Sequence, residues 1–271
     1  GQIIHCDAGP SVVRAYPVQN DGAGYTAEIV DILNGAKRDR WFRPSDVVAA
    51  ADGSLIVADW YDPGVGGHNM RDLDRGRLFL VAPEGHKLKV PKLDLSSLAG
   101  AAEALKSPNM STRYLAWNKL HDAGAKAEST LKRLWGDSNP IYRARAIWLL
   151  GKIDGKGQQY VDTAIGDKNP NIRITGLRLA RQNGADVIAA CEKLVKDKSA
   201  QVRREVAIAI RDSKSPKAAG IWAELAAHHD GVDRWYLEAL GIAANGQWDR
   251  FFGAWLKKVG DKWNTPAGRD I

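Results

Sequence analysis

The sequence predicts a β + α chain: a strand-rich region over residues 1–97, then an α-solenoid of about five helix pairs over residues 98–271. Three observations predict it. Residues 1–97 hold short runs of β-branched and aromatic residues, broken by Asp-Gly, Asn-Gly and Asp-Pro-Gly turn signals. Residues 98–271 hold apolar residues at helical spacing and repeat themselves at an interval of 30 residues, from Arg113 to Arg143, Arg173 and Arg203. Charge also divides there. The first region carries 11 Lys and Arg against 13 Asp and Glu, the second 28 against 19, in a chain of 271 residues and net charge +7. Such asymmetry points to two units with different surfaces.

In chain order, strands are expected at QIIHC (2–6), VVRAYPV (12–18), YTAEIVDIL (25–33), SDVVAAA (45–51), SLIVADW (54–60) and RLFLVAP (77–83). Asp52-Gly53 between two apolar runs predicts a two-residue hairpin turn, because this dipeptide accepts positive φ. The stretch between the last two strands, residues 58–77, is dense in charge, and loops on a rigid β scaffold are where sites are built.

The candidate site residues lie in that stretch. His68 follows Gly66-Gly67 and is the candidate catalytic base or ligand contact, since imidazole titrates near neutrality; the alternative is a loop histidine bonded to a carbonyl. Asp59 and Asp62 flank Trp60-Tyr61 and could bind a cation or a sugar hydroxyl, with the aromatics stacking on a ring. Asp62-Pro63-Gly64 is also a turn in its own right. Arg75 and Arg77 are either ligand contacts or, with Arg71, Asp72 and Asp74, a mutually neutralising network that orders the loop. No D-x-D-x-D-G calcium loop is present, so the residues name no metal.

In the second region, SPNMSTRYLAWNKL, DSNPIYRARAIWLL, DKNPNIRITGLRLA and DKSAQVRREVAIAI align without gaps, and HHDGVDRWYLEAL follows with one residue shifted, placing Arg234. First helices are expected at 101–106, 128–135, 159–165, 187–195 and 218–227. Asn139-Pro140 and Asn169-Pro170 open second helices: Asn caps free amides, and Pro sits where no N–H is needed. His228-His229-Asp230 is expected to cap a turn. Trp117, Trp135, Trp148, Trp222, Trp235 and Trp248 are expected mostly on apolar, core-facing sides of their helices.

These residues also limit function. No stretch reaches the roughly 20 apolar residues of a membrane span. The start GQIIHCDAGP has neither the basic opening nor the apolar core of a signal peptide, and without an initiator Met the chain is expected to be the C-terminal piece of a longer polypeptide. Cys6 and Cys191 share no metal or redox spacing. Lys and Arg scatter through the repeats instead of forming runs, which speaks against nucleic acid as a partner.

The D-x5-R pattern at the start of the three middle second helices resembles HEAT repeats; the first and last repeats have Ser107 and His228 in place of the aspartate. That resemblance implies a short right-handed α-solenoid over about residues 98–260. It also implies a ladder of Asp137, Arg143, Asp167, Arg173, Asp197 and Arg203. FRPSDVVAAADGSLIVADWYDPGVGGHNMRDLDRGRLFLVAP (42–83) resembles the last blade of the PVC-type membrane-bound dehydrogenase family, in which a propeller similar to that of glucose/sorbosone dehydrogenases precedes HEAT repeats and usually a cytochrome c domain. The resemblance implies that residues 1–97 are a partial β-propeller, its last one to two blades, and that the remaining blades of the parent chain are a partner. It implies a periplasmic, extracellular or cell-surface location, with a protein partner on the helical surface. For the full-length parent it implies quinone-dependent oxidation of sugars or polyols, with pyrroloquinoline quinone and calcium as cofactors. The family's CxxCH haem motif is absent here, and two blades hold too little of a quinone site for this chain alone to be active. The alternative reading is a non-catalytic helical-repeat module for a protein or acidic polymer.

Overall fold

The computed structural model describes residues 2–63 and 74–271. The fold is mixed, small antiparallel sheets first and helices after, as the two periods in the sequence predict. By its internal contacts the chain divides into two compact units, Gly1–Gln19 with Thr26–Lys119, and Asn20–Tyr25 with Leu120–Ile271. The expected boundary at 97/98 therefore differs from the observed one. The first helices group with the strands, where Asn109 Nδ2 donates to the Ala49 carbonyl at 2.7 Å. A short hairpin tip groups with the later helices.

The strands are β1 (Ile3–Asp7), β2 (Val12–Tyr16), β3 (Val18–Asp21), β4 (Gly24–Ala27), β5 (Val30–Asn34), β6 (Pro44–Ala49), β7 (Leu55–Asp59) and β8 (Arg77–Val81). They form three sheets, in the orders β1-β2-β5, β3-β4 and β6-β7-β8. Among the described residues these sheets are open, and none closes into a barrel. Two expected runs divide. VVRAYPV breaks at Pro17, which has no N–H for a ladder, and YTAEIVDIL splits into β4 and β5. The Asp52-Gly53 turn also differs from expectation. Ala50 N donates to Ser54 O and Gly53 N to Ala50 O, so Ala51, Asp52 and Gly53 make a three-residue loop, with Gly53 at φ +90°.

One cluster in the first unit has Val13, Phe42 and Val57 buried, with Ile4, Val47, Phe79 and Val81 packed around them. The outer face of β6-β7-β8 is also apolar. Val48, Ile56 and Leu80 fall in one cross-strand row and are 49%, 37% and 55% exposed. Helices α1 (Leu98–Ala104) and α2 (Met110–Asp122) follow; the Ser97 hydroxyl accepts from Gly100 N, and Asn109 Oδ1 accepts from Thr112 N.

The later helices are α3 (Glu128–Trp135), α4 (Pro140–Leu150), α5 (Gly157–Ile165), α6 (Pro170–Asn183), α7 (Val187–Leu194), α8 (Ala200–Ile210), α9 (Lys217–Ala226), α10 (Arg234–Ala244), α11 (Trp248–Val259) and the short α12 (Pro266–Asp270). Their starts follow the sequence signals. Asn139, Asn169, Ser199 and Asp233 accept from amides of the first turns of α4, α6, α8 and α10, and Pro140 and Pro170 take first-turn positions. α4 packs on α6, α6 on α8 and α8 on α10, so the second helices of successive pairs are neighbours. Leu150, Leu177, Ile210, Leu225, Trp222 and Phe251 are fully buried among them. A Cβ on Gly176 would crowd Ala164, so only glycine lets α5 approach α6 this closely. Beyond the expected pairs, α11 packs on α9 through Phe251 and Trp255.

The tryptophans do not behave alike. Trp222 is buried and Trp117, Trp135 and Trp148 are partly so, whereas Trp235 is 54% exposed and Trp248 46%. No described helix is long and apolar enough to cross a membrane.

Candidate functional site

Polar chemistry gathers at the end of the β6-β7-β8 sheet, along the repeat ladder, and in a depression on the second helices, among other places. At the sheet end, Asp59 is 3% exposed. Its Oδ1 accepts from the amides of Arg43 at 2.7 Å and Tyr61 at 3.0 Å, and its Oδ2 accepts from Arg77 Nε at 2.8 Å. Arg77 also bonds Asp39 at 2.8 Å, and its guanidinium lies 3.7 Å from the centre of the Tyr61 ring. Tyr61 holds φ of +53°, a left-handed conformation that costs a non-glycine residue roughly 1–2 kcal/mol. The Asp59 bond to its amide, the Arg77 contact and the Trp41 ring at 5.6 Å hold it there.

Of the expected site residues, the structure thus brings Asp59 and Arg77 into one ion pair. Arg75 lies over Trp41, 5.5 Å from its ring centre, Trp60 is 64% exposed, and Asp62 donates its amide to the Trp41 carbonyl at 3.0 Å. His68, with Arg71 and Asp72, lies outside the described residues. Both oxygens of Asp59 are filled by donors, one of them a guanidinium. That arrangement suits an internal anchor and does not fit a calcium ligand, whose oxygens must face a cation. Among the described residues no group of three His, Cys, Asp or Glu side chains converges as a metal site.

The ladder residues meet across repeats. Arg143 bonds Asp167 of the next repeat, and Arg173 holds Asp197 with two bonds of 2.6 and 2.7 Å. These side chains are largely buried, at 17% and 9% for the first pair and 16% and 8% for the second. Each aspartate also caps its own turn: Asp137, Asp167 and Asp197 accept from the amides of Asn139, Asn169 and Ser199 at 2.8 Å. Within a repeat the arginines also reach main chain: Arg173 donates to Asp167 O and Arg203 to Asp197 O. Arg203 lies 5.1 Å from the Tyr236 ring centre, and its Nε is buried without a hydrogen-bond partner.

Of His228-His229-Asp230, Asp230 caps the turn, accepting from Val232 N and Asp233 N, while His228 Nδ1 lies 2.8 Å from the Glu224 carbonyl. His229 is buried and pairs with Asp270 at 3.1 Å.

The depression was not marked by sequence reasoning. It encloses about 690 Å³ between α4, α6 and α8, lined by Trp148, Arg178, Arg181, Arg204, Glu205 and Ile208. Trp148, Arg178 and Ile208 each stand five residues after a ladder arginine, and that offset is the signal that could have found it. Glu205 is buried; Arg178 grips both its oxygens at 3.0 and 2.8 Å, and Arg181 approaches to 3.7 Å. The hydrogen bonds to Glu205 in turn push the Arg178 pKa up from its already high value.

Beside it lies the tip of the β3-β4 hairpin, turned at Gly22 with φ of +52°. Ala23 N donates to Asp233 Oδ2 at 2.7 Å, Arg204 donates to Ala23 O, and Gln201 Nε2 donates to Gly24 O at 2.9 Å. A Cβ on Gly24 would fall inside the Trp235 indole. No protein-family profile matches the sequence, and no curated protein matches it.

Proposed function

We propose that this chain is a binding module for an acidic partner, built as a right-handed HEAT-type solenoid joined in sequence to the last one or two blades of a β-propeller. The observation that carries the reading is the ladder. Arg143 to Asp167 and Arg173 to Asp197 repeat one joint from helix pair to helix pair, which is how a stacked array propagates. The excess of 28 Lys and Arg over 19 Asp and Glu in residues 98–271 gives such an array a basic surface. The propeller part is supported by the β6-β7-β8 meander and its bare apolar row Val48, Ile56 and Leu80, a face of the kind a neighbouring blade covers. In the PVC-type proteins that the strand region resembles, such a chain would work outside the cytoplasm as the scaffold of a sugar- or polyol-oxidising parent. Asp59, spent on Arg43, Tyr61 and Arg77, supports an anchoring role for the sheet end rather than a reacting one.

Titration of the whole chain with poly-L-glutamate tests the binding reading. Saturable binding that weakens as salt rises is expected. No binding at low salt, or dye reduction by the chain alone with sugars, quinone and calcium, overturns it.

A further inference from the structure

We propose that the depression between α4, α6 and α8 binds an acidic side chain of an extended peptide. The inference rests on the binding-module reading and gives it a location. Three arginines, Arg178, Arg181 and Arg204, and one carboxylate, Glu205, line an open cavity, so the lining carries an excess of two positive charges; Arg178 and Arg181 approach Glu205, while Arg204 is turned to the Ala23 carbonyl. Glu205 does not consume them. It engages Nε and Nη2 of Arg178, which leaves Nη1 of that fork, and Arg181 stands 3.7 Å away with 42% of its side chain exposed. Guanidinium forks match planar carboxylates in shape and charge. Held rigidly by a buried acid, Arg178 is already oriented, so less side-chain freedom is lost on binding. Trp148 and Ile208 give the cavity an apolar wall for the methylenes of a Glu or Asp.

The peptide backbone is indicated by what lies alongside. The Ala23-Gly24 segment is read through its main chain: Asp233 takes the Ala23 amide, Arg204 donates to the Ala23 carbonyl and Gln201 to the Gly24 carbonyl. This surface therefore already holds a stretch of peptide by its backbone. Arg204 belongs both to that contact and to the cavity, so a peptide strand running past it would set its next side chain among the arginines.

The test is fluorescence anisotropy of the whole chain with a short labelled Glu/Ala/Gly peptide, its Gln counterpart, a single-stranded oligonucleotide and a sulfated oligosaccharide. The variants are Arg181→Glu, Arg181→Gln, and Lys257→Glu on α11 as an equal charge change elsewhere. The proposal expects the Glu peptide to bind the parent and the Gln peptide to bind far more weakly. It expects Arg181→Glu and Arg181→Gln to lose about tenfold or more, the value of one charge-assisted hydrogen bond, and Lys257→Glu to stay within about twofold. Arg181→Gln removes the charge without reversing it and serves if the charge reversal disturbs folding. Equal losses in Arg181→Glu and Lys257→Glu would remove the cavity from consideration and leave the acidic-partner reading standing. Tighter binding of the oligonucleotide or oligosaccharide than of the peptide would overturn the peptide assignment. No binding of any probe would overturn both readings.

Discussion

Replacing Asp167 with Ala removes one member of a ladder joint. Asp167 is 9% exposed and its partner Arg143 17%, and removing one member of a largely buried pair costs about 3–5 kcal/mol. The lower end applies here. Arg143 keeps the Trp135 carbonyl at 3.2 Å and lies 4.4 Å from the centre of that indole, so its charge is not left wholly without company. The Asn169 amide, bonded to Asp167 at 2.8 Å, loses its acceptor, which adds about 1 kcal/mol. The sum is about 4 kcal/mol. In a unit of this size each kcal/mol moves the midpoint by roughly 2–4 °C, so Tm of the helical signal in far-UV circular dichroism should fall by about 10 °C. A double-mutant cycle with Arg143→Ala isolates the joint. A Tm change under about 2 °C, together with a coupling below about 0.5 kcal/mol, would show the ladder to be surface decoration and refute the reasoning.

Three further outcomes are expected. Asp59→Asn turns an acceptor facing Arg77 into a possible donor and should destabilise the strand unit by about 2–4 kcal/mol, read from near-UV dichroism of Trp41, Trp60 and Tyr61; an unchanged melt counts against the anchor role. Gly24→Ala should expose the Ala23 amide to hydrogen exchange, because the added Cβ meets the Trp235 ring, and Trp235→Ala in the same chain should restore protection. If Gly24→Ala alone exchanges like the parent, the close approach is wrong. Burial pushes the Cys191 thiol up to about 12, so in the native chain it should resist a thiol reagent at mildly alkaline pH and react on unfolding. Because the folded value lies above the unfolded value of 9.0, its contribution to stability is complete below 9.0 and is lost as pH climbs toward 12; rapid labelling of native Cys191 would contradict its burial.

Periodic segments were the most legible. The helix expected over 128–135 is α3 residue for residue, and the Asn-Pro signals open α4 and α6 where they stand in the sequence. Local chemistry decides those positions, so local pattern reveals them. What depends on distant partners was not readable. The ladder's spacing is in the sequence and the resemblance to HEAT repeats implies pairing between neighbouring repeats, but that Arg143 takes Asp167 is decided by how the next helix pair stacks. The role of Asp59 was hidden for the same reason: its donors Arg43 and Arg77 lie on flanking segments that only the sheet brings together. The depression draws on three helices: Trp148, Arg178 and Ile208 share one offset that marks its place, but Arg181, Arg204 and Glu205 stand at other offsets, so the repeat pattern does not reveal its charge. At Pro17 the missing amide was visible, and a stricter reading would have cut the strand there.

The ladder has a direction. Arg143 and Arg173 each lean on an aspartate that belongs to the following thirty-residue segment, while that aspartate serves its own helix start as well. Each segment therefore carries one half of two joints, an aspartate for the segment before it and an arginine for the segment after it, when it is copied or deleted in frame. The upstream arginine simply finds the aspartate of whichever segment now comes next. A gene carrying such a cassette can lengthen or shorten by recombination without inventing a new junction. Only the ends need special treatment, and at the far end Arg203 meets the Tyr236 ring where its predecessors meet a carboxylate.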